Sequence, residues 1–284
     1  MSATCDISLD SILQNVGMLP SPPHAILEII RTLEDGDASA ETLARKIEAD
    51  MGLLAHVLRL VNTSYYATEG RVSSIQQAIM LLGLNEIRNL ACMHGIADYF
   101  QEQGATNFDY KSFICHSAGV SCVARQLARP ALLNPDTAFV AGMLHDIGQL
   151  ALAITLPQQF ERVLDYRRTH NCTLEEAELA IIGIDHAQVG GNLMRHWHLP
   201  EEICEAIAYH HQTADIAMFC SPMSDLLHVS EVLAHALELG SSEQVPFMDE
   251  NAIPRLGLTR EQLAHSFGKI EEDYCDLLNI LGIH

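Results

Sequence analysis

Residues 141 to 150, Ala-Gly-Met-Leu-His-Asp-Ile-Gly-Gln-Leu, constrain the fold most. His145 and Asp146 stand side by side, and Met143, Leu144, Ile147 and Leu150 around them read as one buried helix face. An imidazole and a carboxylate beside such a face cost free energy unless each finds a partner. A His–Asp hydrogen bond or water at a helix edge would serve an isolated dipeptide. A metal ion suits both groups at once. The chain carries fifteen histidines, and further His and acidic residues follow downstream, which turns the reading toward metal.

The apolar spacing is helical almost throughout, with no sustained period-two alternation between turn signals. Residues 6 to 16 read as a short amphipathic start, and Leu19 to Pro23 as a rigid break before a helix carrying Ile26 to Leu33 that ends near Asp35-Gly36-Asp37. Ser39 starts a second helix, Met51 to Val61 is a third with a polar stop at 62 to 66, and Ser73 or Ser74 opens one that Gly83 closes. A further helix is expected over Asn85 to Phe100. The polar run Gln101 to Asn107 marks a seam. A long helix from Tyr110 to Ala128 follows, then one capped by Asp136 or Thr137 that carries the His-Asp pair. Helices are expected over 157 to 170, after the capping box Thr173–Glu176, and over 184 to 197, 200 to 211, 223 to 239 and 259 to 281, with a loop at 240 to 257. The expected fold is all-α: a two-lobed helical bundle with an N-terminal lobe at 1–103, a second lobe at 104–240, and a C-terminal loop and amphipathic helix at 241–284.

Charge and cysteine usage narrow the class. With 16 basic and 37 acidic residues the formal charge is −21, and Arg59, Arg71 and Arg88 are dispersed among the short N-terminal helices. Nucleic acid is therefore not the expected partner, because phosphate neutralisation needs clustered Lys and Arg. Eight cysteines include no C-x-x-C pair and sit mostly in apolar helical segments, as reduced core residues do. No apolar run reads as the roughly 20 residues of a membrane span. The start MSATCDISLD lacks signal-peptide regions, so the expectation is a cytoplasmic protein without a membrane partner.

Polar sites recur on consecutive helical segments of the second lobe: His116, His145-Asp146, His186, His210-His211 and Glu231. One inward position per helix of a bundle converges on one place. These imidazoles and carboxylates are enough for two ions about 3.5–4 Å apart, as in hydrolytic two-metal sites, and the mixed donors suit Fe, Mn or Zn better than Ca. Taken singly, each has a plainer reading. His116 is a satisfied core histidine, His186 a helix start capped by Asp185, His210 and His211 a cationic helix end, and Glu231 a solvated face. The remaining histidines, His235 among them, read as structural or surface, except that His228 lies one turn before Glu231 on the same face.

These residues resemble the HD superfamily of metal-dependent phosphohydrolases, whose signature is a spaced His, then His-Asp, then a later acidic residue. The runs LPSPPHAILEII, ARKIEADMGLLAHVLRLVNTSYY, VSSIQQAIMLLGLNEIRNL, AFVAGMLHDIGQL and HAQVGGNLMRHWHLPEEICEAIAYHH resemble the HDOD family, in the right order, over roughly residues 17 to 239. That resemblance implies an all-helical bacterial signalling or regulatory protein with an HD-like second lobe. Many HDOD members have lost the metal ligands, but this sequence keeps His145-Asp146. Resemblance to the HD-GYP phosphodiesterases implies metal ligands at His116, His145, Asp146, His186, His210 and His211, with Glu231 where HD enzymes carry Asp. The segment after His211 is Gln-Thr-Ala-Asp-Ile rather than Gly-Tyr-Pro, and Gln149 stands where a lysine often follows the His-Asp pair. Both differences count against cyclic dinucleotide hydrolysis. The expectation is a regulatory protein with a dinuclear centre and a signalling protein partner. The alternative is a phosphohydrolase acting on a phosphoester or nucleotide, with His145 and Asp146 activating metal-bound water.

Overall fold

The computed structural model describes residues 12, 14, 24–31, 39–49, 51–61, 72–92, 108–211, 221–240, 246–281 and 283. Among these residues there is no strand, and the fold is all-α. The expected breaks at 19 to 23, 35 to 37 and 62 to 66, the seam at 101 to 107 and nearly all of the amphipathic start lie outside the described residues.

The first helices form where apolar spacing and caps agree. α1 (His24–Arg31) buries Ile26, Leu27, Ile29 and Ile30. α2 (Ala40–Glu48) starts at Ser39, whose hydroxyl accepts from the Thr42 amide at 3.2 Å, and buries Leu43, Ala44 and Ile47. α3 (Met51–Val61) buries Leu53, Val57 and Val61. α4 (Ile75–Leu82) is capped by Ser74 and closed by Gly83 at φ 90°, a left-handed position that favours glycine. α5 spans 84–92 and buries Ile87, Leu90 and Ala91.

The remaining helices are α6 (Tyr110–Ala128), α7 (Pro135–Leu144), α8 (Ile147–Thr155), α9 (Pro157–His170), α10 (Leu174–Ile181), α11 (His186–His196), α12 (Glu201–Tyr209), α13 (Pro222–Ala236), α14 (Ala252–Arg255) and α15 (Arg260–Leu281). α6 packs against α7, α13 and α15, while α11 packs against α8 and α12. Four details differ from the sequence reading. The cap of α7 is Asn134, which accepts from the amides of Asp136 and Thr137 at 2.9 and 3.3 Å; Pro135 occupies the first turn, where its missing N–H costs nothing. Asp136 instead accepts from buried Arg88 and Asn89 of α5, each at 3.2 Å, which ties α5 to the start of α7. The His-Asp pair does not ride on one helix: α7 ends at Leu144 and α8 begins at Ile147. The expected loop at 240 to 257 contains α14.

The stretch Pro135–Thr155 is long and apolar enough to cross a membrane by length and composition, where the sequence reading found no such run. It is broken at His145-Asp146, and most of it is buried against the neighbouring helices. Gly148, in the first turn of α8, lets α11 approach. A Cβ there would overlap the His186 carbonyl oxygen and lie 2.8 Å from the Gly190 amide nitrogen.

Candidate metal centre

Helix ends aim most of the site. The last carbonyls of a helix have no intrahelical partner. His145 follows α7 and His210 follows α12, and each uses Nδ1 on such a carbonyl, Gly142 O at 2.8 Å and Ile207 O at 2.7 Å. His186 opens α11. Its backbone N–H and its Nδ1 both meet Glu178 Oε2, at 2.8 and 2.7 Å. In all three residues Nδ1 is held by an acceptor, so it carries a proton, and Nε2 is turned to the interior.

Those nitrogens, with His116 Nε2, surround Asp146. His186 Nε2 is 3.1 Å and His210 Nε2 3.9 Å from Oδ1; His145 Nε2 is 3.3 Å and His116 Nε2 4.0 Å from Oδ2. Glu231 Oε2 is 3.9 Å from His210 Nε2 and 3.4 Å from His211 Nδ1, and His211 Nε2 is 2.9 Å from His186 Nε2. The structure thus brings together all seven residues singled out from the sequence. It also adds three. Glu178 is buried behind His186, Glu175 Oε1 meets His211 Nδ1 at 3.1 Å, and the His235 ring packs 4.6 Å from that of His116. His235 lies four residues after Glu231, a same-face spacing that the sequence reading applied only to His228. His228 points elsewhere. Its Nδ1 donates to His210 O and its Nε2 accepts from the Asp249 amide, both at 3.0 Å, so both nitrogens are used in packing. His170, His196, His198 and His265 are exposed; the side chains of His24, His56, His94 and His284 lie outside the described residues.

The cluster is buried and electrostatically incomplete. His145 Nε2, His210 Nε2 and Glu231 Oε2 have no hydrogen-bond partner, and such buried polar atoms need an explanation. Burial, then the neighbouring imidazoles, holds His210 and His211 well below the usual histidine range; burial and His145 bring His116 down to about 3. Burial opposes ionisation of Asp146, but His145 and His186 outweigh it and keep the carboxyl well below its ordinary value. Burial likewise opposes a charge on His186, and Glu178 and Asp146 outweigh it, so His186 sits well above the usual range. Burial and the Asp146 charge push Glu231 well up. Neutral His116, His210 and His211 beside an ionised Asp146 are protonation states that suit a divalent cation, whereas His186 and Glu231 would each release a proton on binding one. Four groups of these side chains, centred on Asp146 or Glu231, hold ligand atoms within 4.8 Å of one another and could hold an ion. The donors are nitrogen and carboxylate oxygen, a set suited to Fe, Mn or Zn.

A cavity of about 540 Å³ opens on the cluster, bordered by His116, Asp146, His186, His211, Glu231 and His235 on one side and by Phe108, Phe160 and Arg167 elsewhere. Gln149 also borders it.

The sequence matches the HDOD domain over residues 19–213. It is 24% identical over 204 residues to an uncharacterised protein of Treponema pallidum, which covers 71% of this chain and 39% of that protein, so the chain spans about two fifths of that relative's length. The fold is similar to the crystal structure of an HDOD domain protein of unknown function from Geobacter sulfurreducens (TM-score 0.79, 25% identity, 96% of this chain and 99% of that one). It is also similar to a candidate signal transduction protein from Marinobacter aquaeolei (TM-score 0.78, 23% identity, 99% of this chain and 61% of that one). The motifs read from the sequence, the helical architecture and the residue span of the match agree, and the chain belongs to the HDOD domain family.

Proposed function

We propose that this chain is a bacterial signalling or regulatory HDOD protein whose second lobe retains a dinuclear metal centre held by His116, His145, Asp146, His186, His210, His211 and Glu231. The observation that carries the reading is the orientation of His145, His186 and His210. Each has Nδ1 held by a carbonyl or carboxylate, and each turns Nε2 toward Asp146. Such second-layer bonds orient and strengthen metal-binding imidazoles. A histidine nitrogen lies 3.1 Å from one Asp146 oxygen and another 3.3 Å from the second, which supports the reading of Asp146 as a carboxylate that the ions would share. The ions would tie α6, α7, α8, α11, α12 and α13 together, so metal occupancy sets how firmly this lobe holds its shape for a protein partner. The same reading divides the chain near residues 103 and 240. Elemental analysis of the purified chain tests it, with His145→Ala alongside. About two ions of Fe, Mn or Zn per chain, lost in the variant, are expected. Protein purified without chelator that carries no metal overturns the reading.

One observation favours a second reading, a phosphohydrolase: the cavity reaches the cluster directly. Bound ions would supply Lewis-acid charge to a phosphoester and lower the pKa of water. The chain would contribute Asp146 and the imidazoles as positioning groups and Arg167 as a cation at the cavity wall. A screen of phosphomonoesters, nucleotides and cyclic dinucleotides against metal-loaded protein separates the two. Turnover that survives His145→Ala excludes this site as its source.

A further inference from the structure

The wall of the cavity that opens on the cluster is of two kinds. Beside the imidazoles and carboxylates it carries an apolar part made by Phe108, Phe113, Phe160, Leu164, Leu174 and Phe247. Phe108 gathers that part: its ring meets the edge of Phe113 at 5.3 Å and lies 6.2 Å from Phe160. Phe113 stands on α6, Phe160 on α9 and Phe247 shortly before α14, so three distant stretches of chain bring aromatic rings to one cavity. Phe247 is 77% exposed although it borders this wall. Its segment is anchored two residues further on, where the Asp249 amide donates to His228 Nε2 at 3.0 Å and Asp249 Oδ2 accepts from Arg255 at 2.7 Å. A ring held in water at the edge of an apolar wall forgoes the free energy of burial. An apolar group entering the cavity would recover it.

Charge limits what that group can carry. Arg167 is the only Lys or Arg bordering the cavity among the described residues, against the carboxyls of Asp109, Asp146, Glu175 and Glu231. Hydrogen bonds from Ser112 hold the exposed Asp109 carboxyl below its ordinary value, so it stays ionised. A ligand with several phosphoryl groups needs several cations along its length, and this wall does not supply them. One oxyanion is what Arg167 and the ions of the centre can take. The volume, about 540 Å³, is that of an ordinary small-ligand site. We infer that the cavity takes a small amphipathic anion, an aromatic ring with a single oxyanion head, the ring against Phe108, Phe160 and Phe247 and the head at Arg167 and the metal ions. This inference rests on the proposed metal centre and names the class of ligand to which that centre responds.

Calorimetric titration of the metal-loaded full-length chain tests it with matched probes, acetate against benzoate and methylphosphonate against phenylphosphonate. In at least one pair the aryl member should bind about tenfold or more tighter, the gain expected from burying a ring. The pair that shows it tells a carboxylate head from a phosphoryl one. Benzylamine has the same ring and a cationic head, and benzene-1,3,5-tricarboxylate has added heads; each should bind about tenfold or more weaker than the tighter aryl probe. Phe247→Ser should weaken that probe by about three- to tenfold and leave acetate, methylphosphonate and metal content unchanged. Phe160→Leu, checked for folding by circular dichroism, should weaken it in the same way. Equal affinities within both pairs overturn the ligand class. So does benzylamine or the tricarboxylate binding as tightly as the aryl probe, or an aryl preference undiminished in both folded variants. Elemental analysis reports on the centre separately. Metal present without an aryl preference overturns the ligand class and leaves the centre standing; an aryl preference in protein that carries no metal overturns the centre and leaves the apolar site standing.

Discussion

Glu178 is the residue whose replacement tests the geometry of the centre most directly. Its side chain is buried, and one oxygen, Oε2, accepts both the His186 backbone N–H at 2.8 Å and His186 Nδ1 at 2.7 Å. The other oxygen is buried without a partner. Glu178→Ala therefore orphans two buried donors, each worth about 1–3 kcal/mol, for a total of about 2–6 kcal/mol before any cavity term. Glu178→Gln behaves differently. Its amide oxygen can accept both bonds while its NH2 occupies the place of the unpartnered oxygen, so only the charge assistance is lost, roughly half the strength of each bond. The expected order of stability is wild type, then Gln, then Ala. Because Glu178 orients His186, metal affinity should follow the same order, with Ala weaker by about 10- to 100-fold. Urea unfolding of metal-free protein gives the first quantity and competition with a chromogenic chelator the second. An Ala variant with wild-type unfolding and wild-type affinity would refute the claim that this carboxylate positions His186.

Three further outcomes are expected. Gly148→Ala places a methyl group against the His186 carbonyl and should force α8 and α11 apart; a loss of about 1–3 kcal/mol in urea unfolding, with weaker metal binding, is expected, and an unchanged variant would contradict the close approach. Arg88→Ala leaves the Asp136 carboxyl buried without its ion-pair partner at the start of α7, so a loss of about 3–5 kcal/mol is expected, with Asp136→Asn in the Arg88→Ala background recovering part of it in the same assay. Metal-free protein should lose stability as pH falls below about 4.3, the unfolded carboxylate value. His116, His210 and His211 are depressed by burial, so their contribution is complete above the unfolded value of about 6.5 and is lost as the pH drops toward their folded values, about 3 for His116. Asp146, also depressed, acts in the same direction below about pH 4, whereas the raised His186 contributes below about 6.5 and loses that contribution as pH rises through its folded pKa. The raised Glu231 and Glu178 act with His186, their contribution complete below about 4.3 and lost as pH rises, so the opposing groups cancel in part above that value, and a melting temperature that does not fall between about pH 4.3 and 3 would contradict this balance.

Local chemistry alone determined most of the secondary structure. Met51–Val61, Tyr110–Ala128 and the Thr173–Glu176 capping box stand where apolar spacing and caps put them, because these signals act within a few residues of themselves. The family was legible for the same reason: its motifs are contiguous runs. The break at His145-Asp146 was not legible, since the apolar residues on either side continue one helical pattern, whereas the folded chain ends one helix at Leu144 and starts the next, which packs on α11, at Ile147. The identity of the cluster's later members was also left to the tertiary structure. His228 and His235 lie three residues before and four residues after Glu231, and helical spacing places either beside it. The chain decides through distant contacts. The His210 carbonyl and the Asp249 amide use both nitrogens of His228, while α6 brings His116 against His235. Glu178 escaped notice in the same way, because among the glutamates of α10 nothing local marks the one that is buried behind His186. Periodicity records which side of a helix a residue faces; which helix meets that side is decided by packing over the whole fold.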